Sequence, residues 1–451
     1  MHRDAALEAI RVLRRQGHQA LWVGGCVRDL LLARDPADYD VATSATPTQV
    51  MQIFPETYAV GAQFGVVLVP VRVLGDISGR GHIEVATFRS DGAYLDGRHP
   101  DSVRYTTSAR HDVERRDFTI NGLLLDPFSP HPNTPQGEVL DYVEGLLDLD
   151  RHVIRTIGNP TQRFGEDKLR MLRAVRFAAR FDYEIDQETA QAIRKLAAQI
   201  DQVSAERIRD ELSKMLTEGH ARRAFLLLDE TGLLREVLPE ITKMKGVEQP
   251  PQYHPEGDVF VHTLLLLDGL PPGCPLTLAW GALLHDVGKP ATFRRAPDRI
   301  RFDGHVEIGV RIADDLLQRL RFSNRDREQI LALVDNHMRF ADVRKMKDST
   351  FKRFVRLPGF DEHLALHRLD CLASHKNLDL YHYTQQRFAE IPAGSVRPEP
   401  LINGHDLIAA GYHPGPRFAE ILAAVEDSQL EGTITTREDA MHLVASNFPP
   451  A

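Results

Sequence analysis

Two aspartates one residue apart, Asp38 and Asp40, lie in the stretch ARDPADYDVATSATP, residues 33–47, just after the turn signals Gly24-Gly25 and Asp35-Pro36. In extended backbone, residues i and i+2 face the same way, and the two carboxylates stand about 7 Å apart along the chain. Like charges at that range repel and raise one pKa unless a cation sits between them. An isolated D-x-D is ordinarily a solvated strand edge or a helix N-cap, so its neighbours decide. Glu84 in HIEVATFR falls on the alternate face from Ile83 and Val85. A charge between β-branched neighbours needs a partner. Three acids around two Mg²⁺ ions, ~3.5–4 Å apart, could activate a 3′-hydroxyl and clamp a triphosphate for in-line displacement. Gly24 and Gly25 permit close backbone approach and open a helix whose free N–H groups suit a phosphate, with Arg28 following.

A second group is separate in sequence: His262 in VFVHTLLLL, His285 and Asp286 in GALLHDVGKP, His305 in GHVEIG, and Asp370 in LHRLDCLASH. A lone His on an apolar helix is ordinarily a satisfied core residue, but several around an HDVGK turn are less easily dismissed. A mixed nitrogen and oxygen ligand set suits Mn²⁺, Ni²⁺, Co²⁺ or Fe²⁺ better than the thiolate sites of structural zinc do. A metal-bound water there is a hydroxide source for phosphoester hydrolysis.

A third group could read a base. GEDKLRMLRAVRFAARF predicts one amphipathic helix that buries Leu169, Leu172, Val175 and Phe177, with Arg170, Arg173, Arg176 and Arg180 recurring at helical spacing. The plain alternative is a salt-laced surface helix. Asp167 and Arg170, at i and i+3, are expected on one face. Cytosine and adenine both present an exocyclic amino donor beside an unprotonated ring nitrogen, which a carboxylate and a guanidinium match. Uracil and guanine present the reverse pattern and would lose about 1–3 kcal/mol per mismatched bond.

The elements that position these groups follow from periodicity. Residues 1–20 predict a helix; ALWVGGCVRDLLLA predicts strand, Gly-Gly turn and helix; YDVAT, GVVLVPVRV and HIEVATF predict strands. A polar stretch, RSDGAYLDGRHPDS, precedes a helix near ARHDVERRDFTING. From about residue 160 helical periodicity takes over, interrupted at LPGF, IPAGSVRPEP and HPGPRF. The fold class is α+β: a mixed head on a long helical body. With 451 residues and 42% hydrophobic content, the chain is long enough for several domains. A net charge of −9 argues against a uniformly basic nucleic-acid coat, but not against a local basic channel. No run of eighteen apolar residues occurs, so no membrane span is expected. Cys26, Cys274 and Cys371 lack metal-type spacing, which fits a reduced, cytoplasmic protein.

GGCVRDLLLARDPADYDVAT, IEVATFRSDG, RRDFTINGL and RFGEDKLRMLRAVRFAARF resemble, in order and spacing, the successive motifs of the class II tRNA nucleotidyltransferase and bacterial poly(A) polymerase family. The resemblance covers roughly the first 240 residues. It implies a polymerase-β-like head in which Asp38, Asp40 and Glu84 hold catalytic Mg²⁺. It assigns base reading to Glu166, Asp167 and Arg170, beside Arg173 and Arg176, and contacts with the incoming ribose to Arg116 and Asp117, with Asn121 in support. The stretch from Asp91 through Arg98 to Asp101 corresponds to the family's flexible loop, which enzymes adding only CC lack. HDVGK and its surroundings resemble the HD phosphohydrolase domain. That likeness implies metal ligation by His262, His285, Asp286 and Asp370, with Lys289 near phosphate and His305 and His337 as further ligands or phosphate contacts. The ion there would be Ni²⁺, Mn²⁺ or Co²⁺, and the substrates 2′,3′-cyclic phosphates or 2′-phosphates.

Four segments are expected: a nucleotidyltransferase head over 1–150, a helical neck binding base and RNA over 151–250, an HD domain over 251–385, and a helical tail over 386–451. The tail carries LINGHDLIAAGYHPGPRFAEILAAVED, a helix-turn-helix pattern with Gly404, Gly411 and Gly415 at its joints, open to capping or to a backbone contact with RNA. The leading expectation is template-independent addition or repair of the tRNA 3′-terminal CCA from CTP and ATP, with an attached hydrolase. Addition of A alone and poly(A) synthesis are alternatives on the same motifs. An HD hydrolase with an RNA-binding head is an alternative of another class. Oligomeric state is not expressed in these patterns.

Overall fold

The computed structural model describes residues 2–59, 65–74, 81–92, 103–129, 136–297, 299–392 and 394–449. Arg98 and Asp101 of the expected loop lie outside the described residues. The chain divides into two compact units, Met1–Pro239 and Glu240–Ala451.

The first unit opens with the helix His2–Arg15, whose buried face is Ala5, Ala6, Ala9, Ile10 and Leu13. Its strands are β1 (Ala20–Val23), β2 (Val41–Thr43), β3 (Val66–Pro70), β4 (His82–Thr87), β5 (Arg89–Asp91), β6 (Val103–Tyr105), β7 (Leu124–Asp126) and β8 (Glu138–Leu140). Six of them form one sheet in the order β3-β4-β2-β1-β7-β8, while β5 and β6 make a separate antiparallel ribbon. The sheet is mixed: β2 and β4 run parallel, Val41 opposite Val85, and the other neighbours are antiparallel. Leu21, Val23, Ala42, Phe88, Val113 and Leu124 pack together beneath it. The helices Pro160–Glu166, Leu169–Phe181, Gln187–Leu196, Ala205–Thr217 and Ala221–Glu230 follow.

Two local expectations change. The D-x-D precedes β2 rather than lying inside it. The alternation still holds, because Tyr39 is buried against Trp22 (ring centroids 5.0 Å) while Asp38 is exposed. Asp40 continues the ladder through its carbonyl, which accepts the Val23 N–H at 3.1 Å. The helix expected across Asp167 and Arg170 is two helices. Asp167 sits at the break with φ −148° and ψ 108°, and its carboxylate accepts the Leu169 N–H at 3.1 Å. A short acid that ends one helix and accepts a backbone N–H from the next competes with helix continuation, so the i, i+3 face argument does not apply there.

The second unit is helical. The helices Val259–Asp268, Leu276–Leu284, His305–Arg319, Asn324–Asn336 and Phe360–Ala373 surround the HDVGK turn. Phe340, Phe351, Phe354 and Phe360 form an aromatic core. A separate core that includes Ile402, Leu407, Ile421, Val425 and Val444 holds the last helices together. The helix Arg417–Leu430 is tied to Asp348–Val355 by Arg353 and Arg356 on Glu426, at 2.8 and 2.7 Å. Gly288 makes the HDVGK turn compatible with the His305 helix: a Cβ there would lie 2.0 Å from the His305 carbonyl oxygen.

Two outcomes follow from this packing. Gly288→Ala should destabilise the protein by about 1–3 kcal/mol or more, through overpacking against backbone. Glu211→Ala, which leaves the buried Arg176 guanidinium short of its main partner, should cost about 3–5 kcal/mol. Urea titration monitored by circular dichroism measures both, and a loss below about 0.5 kcal/mol in either would refute the corresponding argument.

Candidate active sites

In the first unit the acids that precede β2 and lie on β4 act on one another. Burial raises the Asp40 carboxyl to about 6, the Glu84 and Asp38 charges push the same way, and Arg116 opposes them. A half-buried carboxylate in a field of like charge is what a divalent cation relieves, and the all-oxygen donor set around Asp40 suits such an ion. Asp38 is 79% exposed and has His2 Nδ1 at 3.8 Å. Gly24, at φ +75°, joins β1 to the helix Gly25–Leu31, and a Cβ on it would meet Arg116 Nη1 at 3.5 Å.

Arg115, Arg116, Asp117, Asp167, Leu169, Arg170, Arg173 and Arg207 line a cleft of about 280 Å³. Arg170 is held by Glu166 at 2.7 Å and by the Arg163 and Arg115 carbonyls at 3.1 and 3.3 Å. Asp167 is gripped by the Arg207 fork at 2.7 and 3.2 Å. Acceptor and donor for a base edge thus share one cleft, each oriented by an opposite charge. Asp117 is engaged on both oxygens: Arg173 donates to Oδ2 at 2.7 and 2.9 Å, and the Phe118 N–H and Asn121 amide donate to Oδ1 at 2.8 and 3.3 Å. Burial works against its ionised form, but Arg173 and Arg170 prevail and hold it down at about 2.

Two of the expected nucleotide contacts, Arg28 and Arg176, are buried and paired with acids. Arg28 is buried, bound to Asp29 at 2.8 Å and to Asn121 at 2.5 Å, with its guanidinium 4.5 Å from the Phe181 ring centre. Arg176 is buried, donating to Glu211 at 2.7 Å and Glu218 at 3.3 Å. Helical periodicity carries Arg176 to the inner face of its helix, where Glu211 and Glu218 accept from it. Arg207 and Glu211 escaped the sequence reading, although their i, i+4 spacing in ERIRDEL was the available signal. Asp91 closes β5, whose backbone pairs with Val103 of β6.

In the second unit His262 Nε2 lies 3.1 Å from Asp370 Oδ1, 3.3 Å from His285 Nε2 and 3.8 Å from Asp286 Oδ2. His285 Nε2 is 3.2 Å from Asp286, and Lys289 Nζ is 2.7 Å from Asp286 and 2.6 Å from Gln249. Glu256, absent from the sequence reading, holds His262 Nδ1 at 2.7 Å and His254 Nδ1 at 2.9 Å. Its cue was the spacing in HPEGDVFVH. Burial disfavours charge on His262, yet its bonds to Asp370 and Glu256 carry its pKa up to about 9. An imidazole set between two carboxylates marks a place built for positive charge, and the donor set fits a first-row divalent ion. The centre opens into a cavity of about 400 Å³, whose wall includes Tyr253, Phe302 and Met338.

Residues 20–155 match the Poly A polymerase head domain family, 182–245 the probable RNA and SrmB-binding site of polymerase A, and 259–359 the HD domain. The CCA-adding enzyme of Geobacillus sp. (strain WCH70) is 32% identical over 444 residues, covering 97% of this chain and 95% of that protein. The CCA-adding enzyme of Anoxybacillus flavithermus is 30% identical over 438 residues, with 97% and 95% coverage. The crystal structure of the Bacillus stearothermophilus CCA-adding enzyme in complex with CTP superposes with a TM-score of 0.72 at 27% identity, over 98% of this chain and 96% of that one. With this likeness running nearly end to end, the chain belongs to the CCA-adding enzyme family of nucleotidyltransferases.

Proposed function

We propose that this chain builds and repairs the 3′-terminal CCA of tRNA from CTP and ATP, and that its second unit hydrolyses phosphoesters at the HD centre. The observation that carries the reading is the cleft in which Asp167 and Arg170 stand side by side, each fixed by its own counter-charge. Mg²⁺ bound by Asp38, Asp40 and Glu84 would activate the tRNA terminal hydroxyl and neutralise the triphosphate. The chain's own residues do the selecting. Asp167 accepts from the exocyclic amino group, Arg170 donates to the ring nitrogen, and Glu166 keeps Arg170 in register. Arg116, whose charge reaches Asp40, also lines the cleft and so links base binding to the acids. Asp117 and Asn121, beside the ribose, set Arg173 against the same wall. The four segments 1–150, 151–250, 251–385 and 386–451 correspond in this reading to head, neck, HD domain and tail. The working compartment is the cytoplasm, and no helix among the described residues is long and apolar enough to cross a membrane.

For the second unit, His262, His285, Asp286 and Asp370 would hold Ni²⁺, Mn²⁺ or Co²⁺, which supplies a hydroxide at neutral pH. Lys289 lies within reach of a phosphate on Asp286's side of the cavity. Substrates with 2′,3′-cyclic phosphates or 2′-phosphates fit this assignment.

Transcripts of tRNA ending before CCA, after C and after CC, incubated with Mg²⁺ and with CTP and ATP singly and together, test the main reading. Three additions ending at CCA are expected. Addition of A only to the CC transcript, or a long A ladder, would replace it with A addition or poly(A) synthesis. Asp40→Ala should lower nucleotide addition by at least ~10³-fold while cyclic-phosphate hydrolysis persists; loss of neither would move the catalysis to the HD centre. Asp167→Ala should let UTP or GTP compete, cutting selectivity by about 10–100-fold. Unchanged selectivity in single-nucleotide assays would sink the base-reading argument.

A further inference from the structure

We propose that the arginine hairpin following the HDVGK turn is a docking surface for single-stranded RNA, and that it leads the RNA 3′ end into the cavity of the HD centre. The inference rests on the reading of that centre as a phosphohydrolase and names the form of its substrate: the end of a chain and not a free nucleotide.

The hairpin is built for an anion. FRRAPDRIRF, residues 293–302, places Arg294, Arg295, Arg299 and Arg301 within eight positions, against one acid, Asp298. Arg294–Arg295 and Ile300–Arg301 pair as two short antiparallel strands, and the Ala296 N–H donates to the Arg299 carbonyl at 3.0 Å to close the turn. The register sets Arg294 directly opposite Arg301. Like charges in that position destabilise a strand pair, and a bound anion relieves the repulsion. Arg294 meets Asp303 at 2.8 Å and Arg295 meets Glu248 at 2.7 Å, but all four of these side chains are more than half exposed. Ion pairs so open to water contribute little to stability, so a phosphate displaces either acid at small cost.

The surroundings select RNA. Phe293 and Phe302 flank the arginines with ring centres 6.0 Å apart, and Phe293 is exposed. An aromatic face beside guanidinium groups binds an unstacked base and its phosphate. A duplex keeps its bases stacked and offers no such face. Phe302 also lines the cavity of the HD centre, opposite solvent, together with Tyr253. Lys289 Nζ stands 5.4 Å from the Phe302 ring centre, and the Phe302 carbonyl accepts the His305 N–H at 3.1 Å. The second strand therefore ends at the centre itself. At ~3.3 Å per residue, Arg299 precedes Phe302 by about 10 Å, the span of two or three phosphates at ~3.4 Å each. The 2′-phosphates and 2′,3′-cyclic phosphates assigned to the centre both require a 2′-oxygen, which excludes DNA.

The test uses the full chain with Mn²⁺ and two substrates, 2′,3′-cyclic CMP and a short unstructured RNA ending in the same cyclic phosphate. The RNA should show a kcat/KM at least ~10-fold higher, carried by KM, and a log–log salt slope of about −2, as two or three neutralised phosphates require. Cyclic CMP should respond little to salt. The triple variant Arg294→Glu, Arg295→Glu, Arg299→Glu should cut the RNA advantage ~10-fold and leave cyclic CMP hydrolysis within about twofold, which also reports an intact fold. Should that variant not fold, the salt slope of the parent chain decides, together with a crosslink. In metal-free protein, RNA carrying 4-thiouridine beside its last nucleotide should crosslink to residues 293–302. Equal kcat/KM for both substrates, an RNA advantage untouched by the charge reversal, or crosslinks confined to the first unit overturns the docking surface, while cyclic CMP hydrolysis keeps the hydrolase reading. Loss of cyclic CMP hydrolysis in a folded variant makes the hairpin a support of the cavity wall and overturns the docking role as well. Crosslinks at the hairpin with neither substrate hydrolysed support the docking surface and remove the hydrolase reading.

Discussion

The ion pair between Asp117 and Arg173 is the constraint on which the nucleotide cleft depends. It joins the turn after the Ala109–Glu114 helix to the Leu169–Phe181 helix, with Arg173 donating twice to one carboxylate oxygen. Burying a carboxylate costs several kcal/mol unless its partners are complete. Here the other oxygen is occupied by a backbone N–H and by Asn121, which in turn accepts from Arg28. The relay runs on through Arg28 to Asp29 on one side. On the other, Glu211 lies 3.9 Å from Arg173 and accepts from Arg176. Such a chain tolerates little change of spacing, because displacing one member strands a buried charge. Strand-bearing head and helical neck of the first unit are therefore set at one distance, and the cleft between Asp117 and Asp167 has one width.

The same constraint sorts the arginines. Those on the inner face, Arg28 and Arg176, are stacked on Phe181 and Phe177 and paired with acids. Those at the cleft, Arg116 and Arg170, are each anchored at one end by Asp112 or Glu166 and still border open volume. An overall negative charge is compatible with a cationic cleft for this reason: the acids are spent on orienting the arginines. Selection between bases then needs no template. In the proposed reading it needs an acceptor and a donor that cannot rotate away, and the pairs Arg207–Asp167 and Glu166–Arg170 hold both in place.

At the HD centre orientation comes from the backbone. Carbonyls of Ala282, Phe302 and Val334 each take an Nδ1 hydrogen and so aim three imidazole lone pairs inward. Glu256 does for His262 what those carbonyls do for the others, but with a full charge, and together with Asp370 it raises the pKa of that ring. The close approach permitted by Gly288 brings His305 into the group. Metal-site character here lies as much in the outer partners as in the ligands.

Much of this was legible in the linear chain. Strand and helix periods placed the mixed head and the helical body, because burial of one face imposes a repeat that a chain cannot hide. Motif spacing marked Asp38, Asp40, Glu84, Asp167, Arg170 and the HDVGK ligands as chemically suited. What the chain order alone could not convey was which charges would meet. The partners Arg207–Asp167 and Arg173–Asp117 are separated by 40 and 56 positions, and no local repeat encodes contacts at that range. The break at Asp167 was hidden because a capping acid and a helical acid look alike in sequence. Residue types and periodicity thus determined the elements and the available chemistry. Tertiary packing alone decided which arginines are buried against acids and which border the cleft, and that two oxygens of one aspartate face different histidines, because burial and pairing are properties of neighbours in space.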